Sequence, residues 1–182
     1  VDDWRDAVKG KQRGMFSFDD VAALKIKNLK KRSYTDIESI PAWKMKECIY
    51  KGVDDYEYLY DEWKELNVGD RWGNNGWSAF FKNSFDMPAR FKGKKVTLNV
   101  YFGGDSLLTL NGEPYQGLDP FRNSVLLTDC AKGDEHYDVD IESYYVWHSN
   151  ESTVKTLSCS FIGVVDPVIE EIYWDFKAVF NA

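Results

Sequence analysis

The feature that most constrains this chain is a change of period. From Trp77 onward, apolar side chains recur at every second residue, and clusters of turn-forming residues break the runs. Within residues 96–102, the side chains of Val96, Leu98, Val100 and Phe102 share one face of an extended strand. Gly103-Gly104-Asp105 marks a turn, after which Leu108 and Leu110 continue the alternation. Asn111-Gly112 is the strongest two-residue hairpin signal in the chain, because both positions tolerate a left-handed backbone. Further strands are expected over 124–127, 137–141, 144–147 and 154–164. No alternation of strand with helix is visible, so a parallel sheet is excluded. The pattern predicts a mainly β chain whose body is a jelly-roll-like β-sandwich.

The flanks read differently. Ser17 followed by Asp19 and Asp20 suits a helix start, with Val21 to Leu24 entering the helix. Tyr56, Leu59, Tyr60 and Trp63 fall at i, i+3, i+4 and i+7, which predicts a helix running to Leu66 and ended near Gly69. At the other end, Asp166 is a good N-cap, Pro167 suits the first helical position, and Glu170 and Glu171 complement the positive helix end. Ile169, Ile172, Tyr173, Phe176, Val179 and Phe180 give that helix an apolar stripe still running at Ala182, as if it continued into something further. The expected organisation is a helical and irregular segment over 1–70, the sandwich over 71–166, and a helix over 167–182.

Composition narrows the partners. The 182 residues can bury about 70% of their unfolded surface, so no metal or disulfide staple is required. The net charge is −7, which removes the electrostatic footprint of a nucleic-acid binder. Lys25, Lys27, Lys30, Lys31 and Arg32 cluster locally and read as a solvated face. No apolar run reaches the ~20 residues of a spanning helix, so no membrane partner is expected. The start of the chain shows no secretory signal. Cys48, Cys130 and Cys159 are odd in number, widely spaced and without a Cys-x-x-Cys pair. Free thiols in a reducing, cytoplasmic setting are expected.

Candidate chemistry is sparse. His136, Asp138, Asp140 and Glu142 alternate with apolar residues, giving one strand an acidic face. Most such faces are simply wet, although one can hold calcium. His148 has no visible triad partner, and the carboxylate pairs Asp54/Asp55, Asp61/Glu62 and Glu170/Glu171 are adjacent rather than facing. No catalytic or metal-ligating residue is assigned. Aromatic residues are 16% of the chain, and they serve either a sandwich core or a sugar platform. Trp72, Trp77, Tyr115 and Trp147 are the candidate platform, with Asp119 and Arg122 to orient a bound sugar.

An ordered set of motifs carries a family resemblance. Glu65 to Gly73 (Glu-Leu-Asn-Val-Gly-Asp-Arg-Trp-Gly), Trp77, Met87-Pro88, Gly93-Lys94-Lys95-Val96-Thr97-Leu98, Asn111 to Asp119, and Ile141-Glu142-Ser143-Tyr144 follow one another along the chain. Together they resemble the N-terminal, non-catalytic domain of class II α-mannosidases of glycoside hydrolase family 38, of the cytosolic or bacterial type. That resemblance implies a galactose-binding-like sandwich whose last helix leads toward a catalytic barrel beyond Ala182. It also implies a parent enzyme that releases terminal α-linked mannose with retention, using zinc and an aspartate nucleophile located in that barrel. The implied partners are the barrel itself, mannose-containing glycans and further copies of the chain. Two other readings stay open: an autonomous carbohydrate-binding module, and the equivalent sandwich of a β-galactosidase-type enzyme.

Overall fold

A computed structural model of the chain describes residues 18–145 and 154–180. The chain divides into two compact units. One runs from Tyr34 to Val165, and the other joins the segment up to Ser33 with the segment from Asp166.

The larger unit is a β-sandwich. A four-stranded sheet has the order β1 (Tyr34–Ser39), β13 (Cys159–Val165), β7 (Val96–Tyr101), β10 (Ser124–Thr128). The larger sheet has the order β3 (Asp55–Tyr58), β2 (Trp43–Gly52), β6 (Trp77–Asp86), β11 (His136–Tyr144), β8 (Asp105–Leu110), β9 (Glu113–Leu118). Strand β4 (Lys64–Leu66) also pairs with β2, and β5 (Arg71–Trp72) pairs with β12 (Lys155–Thr156). All of these ladders are antiparallel.

Alternation decides which side chains fill the core. Along β11, Tyr137, Val139, Ile141 and Ser143 are buried, and the residues between them are not. Val96, Leu98 and Val100 of β7, with Ile162 and Val164 of β13, supply the opposite wall. Aromatic rings lock one end: Phe81 stacks on Phe102 with centroids 3.8 Å apart, and Trp43 and Trp72 meet this pair edge-on. Stacking and edge contacts of this kind add about 0.5–1.5 kcal/mol each beyond area burial. The β8–β9 hairpin turns at Asn111 and Gly112, whose φ angles of 51° and 84° are those the Asn-Gly signal anticipates. Gly104 is required by space: a Cβ there would lie 2.7 Å from Ser143 Oγ and from the Tyr144 carbonyl oxygen.

Two expectations are corrected. The helix expected over 56–66 is instead strands β3 and β4, because Tyr56 and Tyr58 pair with β2 and alternate across the ladder. The sandwich therefore begins at Tyr34 and not at 71, and β2 lies inside the large sheet between β3 and β6. Glu47 of β2 shows how tightly these parts are joined. Its nearly buried carboxylate accepts hydrogen bonds from Gly73 N (2.6 Å) and from the Tyr60 hydroxyl (3.1 Å). Burial there, with the neighbouring Glu47 charge, pushes the Tyr60 phenol up to about 12.

The smaller unit contains two helices, α1 (Phe18–Arg32) and α2 (Pro167–Phe180). Lys30, Lys31 and Arg32 occupy the last turn of α1, where positive charge complements the helix dipole. Asp166 caps α2 as expected, its Oδ1 accepting from Val168 N (2.9 Å) and Ile169 N (3.2 Å). Lys30 of α1 lies 5.3 Å from the Tyr173 ring centroid of α2. Val168, Trp174, Phe176 and Val179 of α2 remain exposed.

Candidate functional site

The outer face of the large sheet carries the densest chemistry among the described residues. Residues of opposite parity to the core form it: Lys44 and Lys46 on β2, Phe80, Lys82, Ser84 and Asp86 on β6, and His136, Asp138, Asp140 and Glu142 on β11. Register places Lys82 between Lys44 and Asp140, Phe80 between Lys46 and Glu142, and Asp86 opposite His136. This register sets cross-strand partners of opposite charge side by side on β6 and β11. Lys82 Nζ is 3.0 Å from Asp140 Oδ1. His136 Nδ1 lies 2.6 Å from Asp86 Oδ1, and its Nε2 lies 3.4 Å from Asp138 Oδ1. The bond to Asp86, reinforced by Asp138, holds the His136 pKa above the usual histidine value.

An open groove of about 750 Å³ runs over this face. Its polar lining includes Lys44, Lys82, Ser84, His136, Asp138 and Asp140, with the Asn111–Gly112 turn among the remaining residues. The turn is fastened to β11 through one residue pair: Asn111 N donates to the Asp138 carbonyl (2.8 Å), and Asn111 Oδ1 accepts from Asp138 N (2.9 Å). Beyond Lys82 the face becomes aromatic. Tyr56 and Phe80 meet edge-on at 4.9 Å, and Tyr50 and Tyr58 flank them. The Tyr56 hydroxyl donates to Glu142 Oε1 at 2.7 Å, which raises its pKa well above the usual tyrosine value. Trp63 and Tyr58 are 40% and 46% exposed, with Lys82 and Lys46 lying 5.5 Å and 4.4 Å from their respective ring centroids.

Of the aromatic and polar residues named from sequence, Trp72 is the one that the structure removes from a sugar platform. Trp72 is 2% exposed and donates its indole N–H to the Phe102 carbonyl oxygen at 2.7 Å, so it is a core residue with no ring face to offer. Trp77 is half-buried at the start of β6. Tyr115 is exposed on β9, and its hydroxyl donates to the Leu126 carbonyl at 2.8 Å. Asp119 accepts from Phe121 N, Arg122 N and Arg122 Nε, which closes the loop after β9 and holds the Asp119 carboxyl below the usual range. Trp147 lies outside the described residues.

The residues that sequence reasoning missed are Tyr56, Tyr58, Trp63, Phe80, Lys44 and Lys82. A signal for the first two existed. Tyr56-Glu57-Tyr58 alternates, and Gly52-Val53-Asp54-Asp55 before it is a turn in which Asp54 takes a φ of 57°.

The groove does not suit zinc. His136-Tyr137-Asp138 spells a His-x-Asp triplet, which sequence reasoning missed. Among the described residues, however, no group of three or more His, Cys, Asp or Glu side chains could hold a metal ion. Both ring nitrogens of His136 are already directed at carboxylates.

The fold and this outer face define the chain as a jelly-roll sandwich. More specifically, the family described as "Alpha-mannosidase, jelly roll domain" matches residues 36–178, and the chain belongs to that family. Alpha-mannosidase G of Dictyostelium discoideum is 26% identical over 97 residues, covering 50% of this chain and 9% of its own length. Alpha-mannosidase 2C1 of Homo sapiens is 31% identical over 75 residues, covering 40% of this chain and 7% of its own length. The chain thus spans less than a tenth of these curated relatives. Among solved structures, a β-glucuronidase from Ruminococcus gnavus bound to a C6-substituted uronic isofagomine is similar with a TM-score of 0.48. It is 11% identical, and the alignment covers 74% of this chain and 30% of that one.

Proposed function

We propose that this chain is the accessory sandwich of a longer α-mannosidase that releases terminal α-linked mannose from glycans. The family match over residues 36–178, which spans β2 to β13 and most of β1, is the observation that carries this reading. The chain contributes no catalytic group of its own. Retaining hydrolysis needs two carboxylates set about 5–5.5 Å apart across the scissile bond, and zinc catalysis needs three protein ligands with an open position. Both belong to a catalytic barrel elsewhere in the longer protein, as does the zinc. The relatives' much greater length supports a separate catalytic domain, and the exposed apolar side chains of α2 suit a helix packed against it or against a second copy of the chain.

A cytoplasmic setting fits the three cysteines, none of which is in a disulfide even though Cys130 is exposed. No helix among the described residues is long and apolar enough to cross a membrane.

The test is to express the full open reading frame containing this chain and to assay it, alongside the 182-residue chain, on an aryl α-mannoside. The longer protein should release the aryl group in a zinc-dependent manner, and the chain alone should not. Chelator-sensitive turnover by the chain alone, abolished by substituting one of its own carboxylates, would overturn the division of labour. Lack of α-mannosidase activity in the longer protein would overturn the parent assignment.

A further inference from the structure

The hydrolysis proposed above assigns no role to the groove on the outer face. We propose that it binds a neutral pyranose oligosaccharide, with Lys82, Asp138 and Asp140 meeting hydroxyl groups and Trp63 offering its ring to a sugar face. At about 750 Å³ the groove falls within the usual range for small-molecule sites.

Charge balance selects the ligand. Lys44, Lys82 and His136 stand beside Asp86, Asp138 and Asp140, with Lys82 paired to Asp140 and His136 set between the other two carboxylates. An anionic ligand would have to draw Lys82 and His136 away from their carboxylates. A metal ion would lack its set of ligands. A sugar hydroxyl donates and accepts together, so it can bridge an ammonium and a carboxylate without leaving either charge uncompensated.

The aromatic neighbours supply the other half of sugar recognition. Pyranose rings present a C–H face that packs on an aromatic plane. Trp63 borders the groove without lining it: it is 40% exposed, and Lys82 of the groove sits over its ring, 5.5 Å from the centroid. The groove's polar groups sit on paired strands, and Asn111 of the turn is bonded twice to Asp138 of β11, so the constellation is held before any ligand arrives. A protein partner suits the face less well, because charged residues are depleted at the centre of protein interfaces and here they occupy it.

The inference stands independently of what the longer protein hydrolyses. Calorimetric titration of the 182-residue chain with an α-mannotetraose, a cellotetraose and a tri-galacturonate tests it. A neutral tetrasaccharide should bind with a Kd of about 0.1–1 mM, and the acidic trimer should bind at least about tenfold more weakly. Trp63→Ala and Asp140→Asn should each weaken binding about fivefold or more while leaving the thermal transition in place. Phe121→Ala, on the exposed loop after β9, should bind like the unaltered chain. Three results would overturn the proposal: no heat with either neutral sugar up to about 20 mM, preference for the acidic trimer, or unchanged affinity in both groove variants. Loss of binding in Phe121→Ala with full binding in the groove variants would also overturn it, by moving the site to the other loop.

Discussion

The two faces of strand β6 use neighbouring aromatic residues in opposite ways. Phe81 is fully buried and stacked on Phe102, whereas Phe80, the preceding residue, lies half-buried beneath tyrosines on the outer face. Inward, Phe81 packs against the rings of Phe102 and Trp72. Outward, rings and charges interleave, with Lys82 paired to Asp140 and His136 set between Asp86 and Asp138. The same residue type thus fills the core on one face and packs beneath tyrosines beside charged groups on the other, and parity along one strand separates the two.

The largest effect should come from removing the first strands. A chain beginning at residue 71 loses β2, which pairs with β6 along six residues from Lys44 to Ile49. It should fail to fold, giving a collapsed amide spectrum by NMR. A well-dispersed spectrum from that truncation would restore the boundary suggested by sequence.

Next in size, Phe81→Ala should lower unfolding free energy by about 3–5 kcal/mol, the cost of a large cavity in an aromatic core. Phe80→Ala should cost less than half as much. Urea titration of the two variants sharpens the contrast between faces, and equal costs would break it.

Glu47→Ala should cost about 1–3 kcal/mol, because Gly73 N and the Tyr60 hydroxyl lose their buried acceptor. Lys82→Met, on the outer face, should change stability by less than about 1 kcal/mol, since its partner Asp140 is half-exposed and screened. The same urea titrations measure both.

The smallest effect is a titration. With only two histidines in the chain, His136 can be followed by NMR, and its pKa should lie above the usual histidine value. Asp86→Asn should lower it. Because the folded value is raised, the stability this contact contributes is complete below the unfolded histidine pKa and disappears as pH rises through the folded one. A His136 titration no higher than that of a model peptide would contradict the Asp86 contact.

Much of the sandwich was legible because its later strands obey period two and carry explicit turns. Residues 96–102 alternate cleanly, Asn111-Gly112 forms the expected hairpin turn, and Asp166-Pro167 begins the expected helix. The failure over 56–66 has a physical cause. Two short strands separated by a loop happened to place Tyr56, Leu59, Tyr60 and Trp63 at helical spacing, and strands of four and three residues are too short for alternation to outvote that coincidence. The groove was out of reach for a related reason. Its members come from β2, β6, β11 and the β8–β9 turn, and only sheet order brings them together. The choice of Trp72 failed because nothing local separates a core tryptophan from an exposed one; its burial follows from the long-range pairing of β5 with β12 and from the Phe81 contact.

Hydroxyl-radical footprinting read by mass spectrometry tests most directly which aromatic residues face outward. Trp63 and Tyr58 should be oxidised readily in the free chain, while Trp43, Trp72 and Phe81, at 0–2% exposure, should stay unmodified until the protein unfolds. Oxidation of Trp72 at the rate of Trp63 in the folded chain would contradict the assignment of the inner face to structure and the outer face to binding.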